Sequence, residues 1–488
     1  MKLSKLVIEF FRGIENVEIT FNEKMNFIVG DNNVGKTRII EAVNAFYNKD
    51  KESKMTMIYN LDDLDIEKLK QNKSFRNLKE KNIKVELNEG KHIYEGIDLK
   101  SSISKENLLG QVIYVPAVIS HTDEQNIGKA SSHINTAFIK LISKNETLEK
   151  RLNELNSQFS DYVDNLKKET EKMYKEINQN IAFNNIEASL GKKDIKNDQI
   201  IKNNLELKLI ENGIEKEFWE LGTGIQRNVI NAILSIQEDD EFIIYLYDEP
   251  ETYLNITAQR KLIDSFMKNT NKCQYIVATH SPSIIKRDKD TFNRIIKLKK
   301  IENNNVKVLQ FNEESYKSYI KETNNYLKSK GIIDSKLLEE NPNNSILAWW
   351  DSNRVNALFE SKIILIEGAT EEILLDLMID EEIPYVNSIG KFKMPYFIIL
   401  FNKIFDIEVI CMFDSDGDKN ELHKGFNEWI KNNCAKTIIC EKCLEEELGY
   451  EEPQKNKEQE IIDRYLKNEI LEDRLNKIIQ KIINQFNS

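Results

Sequence analysis

The sequence predicts an α/β protein built from two successive domains, and three observations carry that prediction. Near the N-terminus, the strand-like "MNFIVG" leads into a glycine-containing loop and then into apolar residues at helical spacing. From about residue 130 to residue 185 the chain is highly charged, with leucines in a heptad-like series that predicts a long amphipathic or coiled-coil arm. A second alternation of strands and helices begins after residue 341. We therefore predict domains at 1–340, with the arm at about 130–185, and at 341–488, which ends in a helix.

Composition limits the class of protein. The chain has 488 residues, more than one ordinary domain, and 40% of them are hydrophobic and 31% charged. No run approaches the roughly 20 apolar residues that cross a bilayer, so we expect no membrane association. Five cysteines without a paired framework suit a reducing compartment, and we predict a cytoplasmic protein. The net charge of −12 argues against a protein that coats nucleic acid, although a local basic groove stays open.

The sequence also predicts where individual strands, helices and loops lie. The segments "KLVIEFF", "ENVEITF" and "MNFIVG" predict strands, and "QVIYVPAVI" at 111–119 predicts a buried strand. The Lys-rich stretch 48–80 predicts a loop or a helical excursion. Residues 301–345 predict edge structure followed by a linker. An apolar stripe near 466–486 predicts the last helix.

The segment "FIVGDNNVGKT" has the spacing of a phosphate-binding loop. Its glycines allow backbone N–H groups to surround a phosphate at the start of a helix. The lysine can reach the β- and γ-phosphates, and the threonine hydroxyl can ligate Mg²⁺. The residues that we expect to bind the nucleotide here are Gly30, Asn32, Asn33, Gly35, Lys36 and Thr37.

Three further segments fit the same nucleotide. "FIIYLYDEPE" ends an apolar run in Asp248, predicted to hold Mg²⁺, and Glu249, predicted to orient or deprotonate the attacking water. "YIVATHSP" ends a strand in His280, which we expect to sense the γ-phosphate. "LGTGIQ" opens a predicted helix and adds the candidate nucleotide-binding residues Gly222, Thr223, Gly224 and Gln226.

The later domain carries acids at the ends of two predicted strands. "IILIEGATEE" places Glu367 after a strand and Glu371 one turn into the next helix, and "IEVICMFDSDGD" ends in Asp414 and Asp416. Parallel strands that end side by side would bring these carboxylates together. Carboxylate oxygens suit Mg²⁺ or Mn²⁺, so we predict a metal site with Glu367, Asp414 and Asp416 in catalytic roles.

These motifs resemble known families. The phosphate loop, "LGTGIQ", "DEPE" and "ATHSP" in this order resemble ABC-type ATPases of the SMC-like branch, in which the signature loop of one subunit closes on the nucleotide of another. The acidic motifs resemble a Toprim domain of Rossmann-like fold. Together the halves are similar to the OLD family of nucleases, and "LEEELG" resembles a later motif of that family, which adds Glu445 as a metal ligand.

The resemblance implies an enzyme, a DNA endonuclease that binds and hydrolyses ATP and uses Mg²⁺ or Mn²⁺, with a role in antiviral defence. It also implies homo-oligomers through the ATPase heads and the arm, and it leaves open a separate regulatory or effector protein. The alternative is an SMC-like ATPase or sensor whose degenerate Toprim domain serves as a platform for a partner. A topoisomerase is disfavoured, because no segment resembles the domain that carries its nucleophilic tyrosine.

Overall fold

The computed structural model describes most of the chain and divides it into two compact units. The first unit comprises 1–28, 35–286 and 301–306, and the second comprises 29–34, 287–300 and 307–488. No helix among the described residues is long and apolar enough to cross a membrane. The described residues are 1–70, 81–95, 109–117, 168, 183–190, 205–211, 214–217, 220, 222, 224–226, 229, 242–268, 273–301, 305–333, 337–416, 420–451 and 456–487.

The elements are labelled in chain order. The strands are β1 (Lys2–Phe11), β2 (Ile14–Thr20), β3 (Met25–Val29), β4 (Lys54–Asn60), β5 (Asn82–Asn88), β6 (Lys91–Tyr94), β7 (Gln111–Val115), β8 (Phe183–Leu190), β9 (Leu205–Glu211), β10 (Ile214–Glu217), β11 (Ile243–Asp248), β12 (Cys273–Ala278), β13 (Ile295–Lys300), β14 (Val306–Gln310), β15 (Lys362–Ile366), β16 (Tyr385–Asn387), β17 (Glu408–Asp414) and β18 (Lys436–Cys440). The α-helices are α1 (Lys36–Tyr47), α2 (Asp63–Lys70), α3 (Ile256–Lys268), α4 (Glu313–Ser329), α5 (Pro342–Ser345), α6 (Ser352–Asn356), α7 (Ala369–Met378), α8 (Met394–Ile398), α9 (Glu421–Asn433), α10 (Leu444–Leu448), α11 (Lys457–Leu466) and α12 (Glu472–Asn487).

An antiparallel sheet in the first unit has the strand order β2-β1-β4-β5-β6. Its strand β4 corrects the prediction of a loop or helical excursion for 48–80. Met55, Met57 and Tyr59 are fully buried and alternate with other residues along β4, which is the period of a strand with one face in the core. Within the described part of 48–80, the helical segment is α2, which follows β4.

Four parallel strands of the first unit carry the predicted nucleotide-binding motifs. Strands β7, β11, β12 and β3 lie side by side in that order, and every neighbouring pair is parallel. Strand β12 is buried along its whole length, as expected for a strand covered on both faces. Because the carboxyl ends of parallel strands meet at one edge, the motifs that follow β3, β11 and β12 come together there.

Strands β8, β9 and β10 form a small antiparallel sheet. The predicted helical arm at about 130–185 lies outside the described residues, apart from a helical Lys168 and the first residues of β8. That part of the prediction therefore stays a prediction, as do the domain limits at 340 and 341.

The stretch predicted to be a linker contains a long helix. Helix α4 begins after Asn312, whose side chain accepts a hydrogen bond from the Ser315 backbone N–H at 2.8 Å, a standard N-cap. Tyr316, Ile320 and Leu327 are fully buried along one face of α4. Its many Asn, Lys and Glu residues occupy the other face, and this composition made the segment resemble a linker.

The second unit contains a four-stranded parallel sheet with the order β16-β15-β17-β18. Its strands are almost wholly apolar, and β15 and β17 are buried along nearly their full length. The helix predicted near 466–486 corresponds to α12, which begins at Glu472, and a separate helix, α11, precedes it. Ile461 from α11 and Ile478 and Ile482 from α12 pack into the core of this sheet. The predicted α/β class, with two sets of parallel strands, is confirmed.

Candidate active sites

The loop between β3 and α1 depends on backbone conformations that favour glycine. Gly30 has φ +140°, and a Cβ there would come within 2.4 Å of the Leu298 carbonyl oxygen. Gly35 has φ +108° and is the N-cap of α1. Asn33 has φ +58°, a conformation that asparagine tolerates better than most residues, and Asn32 is exposed. The loop leads directly into the unpaired N–H groups of a helix start, which suits it to a phosphate.

The lysine and the threonine of this loop meet the motifs that follow β11 and β12. Lys36 is only 5% exposed, and its Nζ lies 3.3 Å from His280 Nδ1. Thr37 Oγ1 donates a hydrogen bond to Asp248 Oδ1 at 3.2 Å. The predicted Mg²⁺ ligands Thr37 and Asp248 are therefore adjacent.

Glu249 and His280 also face each other. Glu249 Oε1 lies 3.4 Å from His280 Nε2, and Glu249 has φ +44°, an uncommon conformation for a residue other than glycine. Burial and the positive charge of Lys36 lower the pKa of His280. A neutral imidazole can accept a hydrogen bond from Lys36, so the three side chains form one connected network.

Glu251 is a further candidate residue of this site, which the sequence analysis did not select. Its Oε1 accepts hydrogen bonds from Thr279 Oγ1 at 2.7 Å and from the His280 backbone N–H at 2.6 Å. Burial is the main cause that raises the pKa of Glu251. The carboxylate ties the segment after β11 to the segment after β12 and so fixes the backbone that carries His280. The last residue of "DEPE", its second glutamate, is the signal that could have revealed it.

The "LGTGIQ" segment is described in part. Gly222 and Gly224 are described, Gln226 is buried, and Thr223 lies outside the described residues. The Gly222 carbonyl oxygen accepts hydrogen bonds from the backbone N–H groups of Ile225 at 2.8 Å and Gln226 at 3.1 Å, as at the start of a helix. A Cβ at Gly224 would lie 2.9 Å from the Tyr253 carbonyl oxygen, so only glycine fits without a shift.

The second site lies at the carboxyl edge of the sheet in the second unit. Glu367 directly follows β15, and Asp414 is the last residue of the neighbouring parallel strand β17. The Asp414 backbone N–H donates to Glu367 Oε2 at 3.4 Å. Strand β16 lies beyond β15 and β18 lies beyond β17, so the strand order reverses between these two strands. Ligands of open α/β sheets bind at such a reversal.

Burial and mutual repulsion raise the pKa values of three acids in this cluster. Burial, followed by the charges of Glu367 and Glu445, raises the pKa of Glu371 to about 7. Burial, followed by the charges of Glu371, Glu367 and Glu445, raises the pKa of Asp414 to about 8. The pKa of Glu367 is also raised, mainly by burial. Glu445 is only 2% exposed, and its charge acts on both Glu371 and Asp414, so this acid of the later motif belongs to the cluster.

The donors fit a divalent cation, although the side chains are not arranged around one. Asp414 Oδ1 is buried and has no hydrogen-bond partner in the described part of the chain. Within that part, no group of three or more His, Cys, Asp or Glu side chains is placed to hold a metal ion. Glu371 Oε2 instead accepts a hydrogen bond from the Gly368 backbone N–H at 3.0 Å. Metal binding would therefore require these side chains to rotate.

Asp416 has partners different from those of Asp414. Lys391 is 2% exposed, forms an ion pair with Asp416, donates a hydrogen bond to the Asp414 carbonyl oxygen, and lies 3.7 Å from Glu367 Oε2. His423 Nδ1 lies 2.9 Å from Asp416 Oδ2. The sequence analysis did not predict that either residue pairs with Asp416. The position of Lys391 after Gly390, close to the end of β16, was the readable signal.

Two family models match the chain. The model described as "AAA domain, putative AbiEii toxin, Type IV TA system" matches residues 25–286, and the model described as "Overcoming lysogenization defect protein-like, TOPRIM domain" matches residues 358–416. The first range contains the phosphate loop, and the second contains both acidic strand ends. The predicted order of an ATPase domain and a Toprim domain is confirmed. An ATPase domain implies use of a nucleotide, and a TOPRIM domain implies use of a divalent metal.

Several curated relatives and solved structures are similar to this chain. Endonuclease GajA of Bacillus cereus (strain VD045) is 21% identical over 499 residues, which cover 91% of this chain and 80% of GajA. OLD nuclease of Thermus scotoductus is 27% identical over 226 residues, which cover 44% of this chain and 39% of that protein. A crystal structure of an Smc head bound to the C-winged helix domain of ScpA has a TM-score of 0.46 and 14% identity, and covers 64% of this chain and 98% of that one.

Proposed function

This chain belongs to the AAA-domain ATPase family and, through its OLD-like TOPRIM domain, to the OLD family of nucleases, and we propose that it is an ATP-dependent, divalent-metal-dependent DNA endonuclease. GajA is named an endonuclease and matches along most of both chains, which supports the proposal. A role in antiviral defence, as implied by the OLD resemblance, belongs to the same proposal.

The buried acid cluster is the observation that carries the nuclease assignment. Glu371 and Asp414 have pKa values raised to about 7 and about 8, so the folded chain holds carboxyl groups that lack sufficient positive charge nearby. A structural ion-pair network would have satisfied them. A divalent cation supplies the missing charge, and oxygen-only ligands favour Mg²⁺ or Mn²⁺.

At the nucleotide site the side chains have separable roles. Lys36 would neutralise charge on the β- and γ-phosphates, and the adjacent Thr37 and Asp248 would hold Mg²⁺. Glu249 would orient or deprotonate the attacking water, with His280 close enough to respond to the γ-phosphate. We further propose that the Gly222–Gln226 segment of one copy closes on the nucleotide of a second copy, so that the working form is a homo-oligomer.

At the acid cluster, carboxylates would hold the metal, which when bound would activate a water and stabilise the leaving oxygen. The acids that would hold it are Glu367, Glu371, Asp414, Asp416 and Glu445. Lys391 and His423 hold Asp416 in a fixed orientation beside the strand end. Exclusion of bulk water by the apolar strands strengthens every charge interaction in this cluster.

A second candidate function is favoured by two observations. The described residues present no ready-made metal cage, and Lys391 already supplies a cation to Asp416. This would suit a TOPRIM domain that serves as a platform for a partner effector instead of cutting DNA.

The discriminating experiment is a plasmid assay on the purified full-length chain. Supercoiled DNA is incubated with Mg²⁺, with Mn²⁺ or with EDTA, each with and without ATP. Nicked or linear product that requires the divalent ion supports the nuclease. Intact plasmid in every arm, from a preparation that still hydrolyses ATP, would instead favour the platform.

A further inference from the structure

Residues 388–393, which we name the 388–393 loop, follow β16 at the carboxyl edge of the parallel sheet in the second unit. The Ser388 backbone N–H donates to the Ile366 carbonyl oxygen at 3.0 Å, and the Gly390 N–H donates to the Glu367 carbonyl oxygen at 2.7 Å. The loop is therefore hydrogen-bonded to the end of the strand that precedes the first acid of the site.

The loop also reaches the other acidic strand end. Lys391 points inward, where it donates to the Asp414 carbonyl oxygen and pairs with Asp416. Two apolar side chains near this buried lysine are partly exposed to solvent: Ile389 is 48% exposed and Phe392 is 38% exposed. Two apolar side chains are thus presented beside the acid cluster from an anchored backbone.

The exposed side chains are held in place at an energetic cost. Ile389 has φ +59°, which is a true outlier for a β-branched residue, and its N–H donates to Asn387 Oδ1 at 2.8 Å. The Phe392 ring packs edge-on against His423 and Phe426, with centroids 5.1 and 5.0 Å apart. Strain of this kind persists only where surrounding contacts enforce it, and it concentrates at functional sites.

We propose that the 388–393 loop is a wedge that contacts the DNA next to the cleaved bond, with Ile389 and Phe392 packed against the sugar and base there. The proposal rests on the proposed nuclease function, because a phosphodiester at the acid cluster would lie beside these side chains. Apolar side chains gain nothing from phosphates, but they do pack against bases at distorted or unstacked steps. Lys393 and the exposed Lys424 add positive charge near Phe392 and His423 for the flanking phosphates.

The test uses the full-length chain with Ile389→Gly, Phe392→Ala and the double substitution. A duplex labelled with 2-aminopurine and a terminal fluorophore reports base unstacking and, by anisotropy, affinity in EDTA, where no cutting occurs. We expect the double variant to bind about tenfold more weakly, the magnitude of losing one base contact, and to lose the 2-aminopurine signal. Phe392→Trp should retain the signal.

Two controls separate loss of contact from loss of fold. Glycine adopts φ +59° without strain, so Ile389→Gly should raise the thermal unfolding midpoint while it weakens binding. Leu377→Ala removes a side chain that is 50% exposed on α7, about 12 Å along the helix from its start, and should leave DNA binding unchanged.

The outcomes distinguish the wedge from the nuclease assignment. A wild-type chain that cuts DNA, together with a double variant that binds and unstacks DNA as wild type does, overturns the wedge alone. A wild-type chain that neither binds nor cuts DNA overturns the proposed function and the wedge with it. Weaker binding by the loop variants, with unchanged binding by Leu377→Ala, supports the wedge.

Discussion

The nucleotide site and the acid cluster differ in how their charges are balanced. At the nucleotide site, Lys36 contacts His280, Thr37 contacts Asp248, and Glu249 faces His280, so opposite and neutral groups are interleaved. In the acid cluster, burial places several carboxyl groups together, and Asp414 Oδ1 lacks a partner among the described residues. The side chains of the first site balance one another, whereas those of the second lack balancing positive charge.

The difference shows which property selects the ligand at each site. A phosphate loop works through backbone conformation, so its glycines and its helix start fix the geometry in advance. A hard-metal site works through net charge and ligand number, and its acids repel one another until a cation arrives. Substitutions at either site should therefore reduce activity. Only at the second site should they also relieve repulsion between acids and so stabilise the folded chain.

The largest effect should come from removing the acids at the end of β17. Asp414→Ala with Asp416→Ala leaves too few oxygen ligands, and we expect DNA cutting to fall by at least on the order of 10²-fold while ATP hydrolysis persists. Plasmid nicking and phosphate release measure the two activities on one preparation. Because Lys391 would lose its partner, Asp414→Asn alone is the matched control that keeps the Lys391–Asp416 pair. Wild-type nicking by the double variant would refute the metal assignment.

The next largest effect should come from the nucleotide site. Lys36→Ala removes the charge that stabilises the γ-phosphate, and the loss in ATP hydrolysis should be on the order of 10²-fold or more. Glu249→Gln keeps the shape but cannot accept a proton, so it should retain ATP binding and stall turnover. Stopped turnover with tight ATP retention in Glu249→Gln, measured by filter binding, checks the assignment. Full turnover in either variant would move catalysis to other residues.

Some features of both sites could be predicted from the sequence alone, and others could not. The phosphate loop, the acids of β11 and the acidic strand ends were predictable, because short motifs of fixed spacing encode them. The contacts of Glu251 and Lys391 were not predicted, since their partners Thr279 and Asp416 lie 28 and 25 residues away and only the folded chain brings them together. Burial of Glu445 likewise depends on tertiary packing.

Two elements were missed for a different reason. Strand β4 and helix α4 both carry the right apolar period, seen in Met55, Met57 and Tyr59 and in Tyr316, Ile320 and Leu327. Their polar and Lys-rich or Asn-rich surroundings outweighed that period in the prediction. Periodicity deserved more weight than composition in both segments.

A smaller effect should follow from loosening the segment that carries His280. Glu251→Ala removes the acceptor of the Thr279 hydroxyl and of the His280 backbone N–H, so His280 should lose its fixed position. We expect kcat for ATP to fall about tenfold, with little change in KM, since the lost interactions orient groups and do not bind substrate. Glu251→Gln retains an acceptor oxygen and should restore most of kcat. Equal losses in both variants would indicate that the charge, and not the hydrogen bonds, is required.

The last expected effect is on stability and not on activity, and its pH dependence tests the charge imbalance itself. Asp and Glu have ordinary pKa values of 3.8 and 4.5, whereas those of Asp414 and Glu371 are raised to about 8 and about 7. Between these values the folded chain binds more protons than the unfolded chain, so the free energy of unfolding falls as pH rises from about 4 to about 8. Each unit of pKa difference is worth about 1.4 kcal/mol at most for one group. In EDTA, the thermal midpoint of the wild-type chain should therefore fall between pH 6 and pH 8.

A variant tests whether the acid cluster causes this pH dependence of the thermal midpoint. Asp414→Asn removes one repelling charge, so its midpoint should fall less over the same pH range and should exceed the wild-type midpoint at pH 8. Mg²⁺ should raise the wild-type midpoint most at pH 8, because ligation requires the ionised carboxylates. Lys36→Ala, which alters only the nucleotide site, should leave the slope unchanged. If Asp414→Asn and wild type lose stability in parallel as pH rises, the acids of the second site are already compensated, and the contrast between the two sites fails.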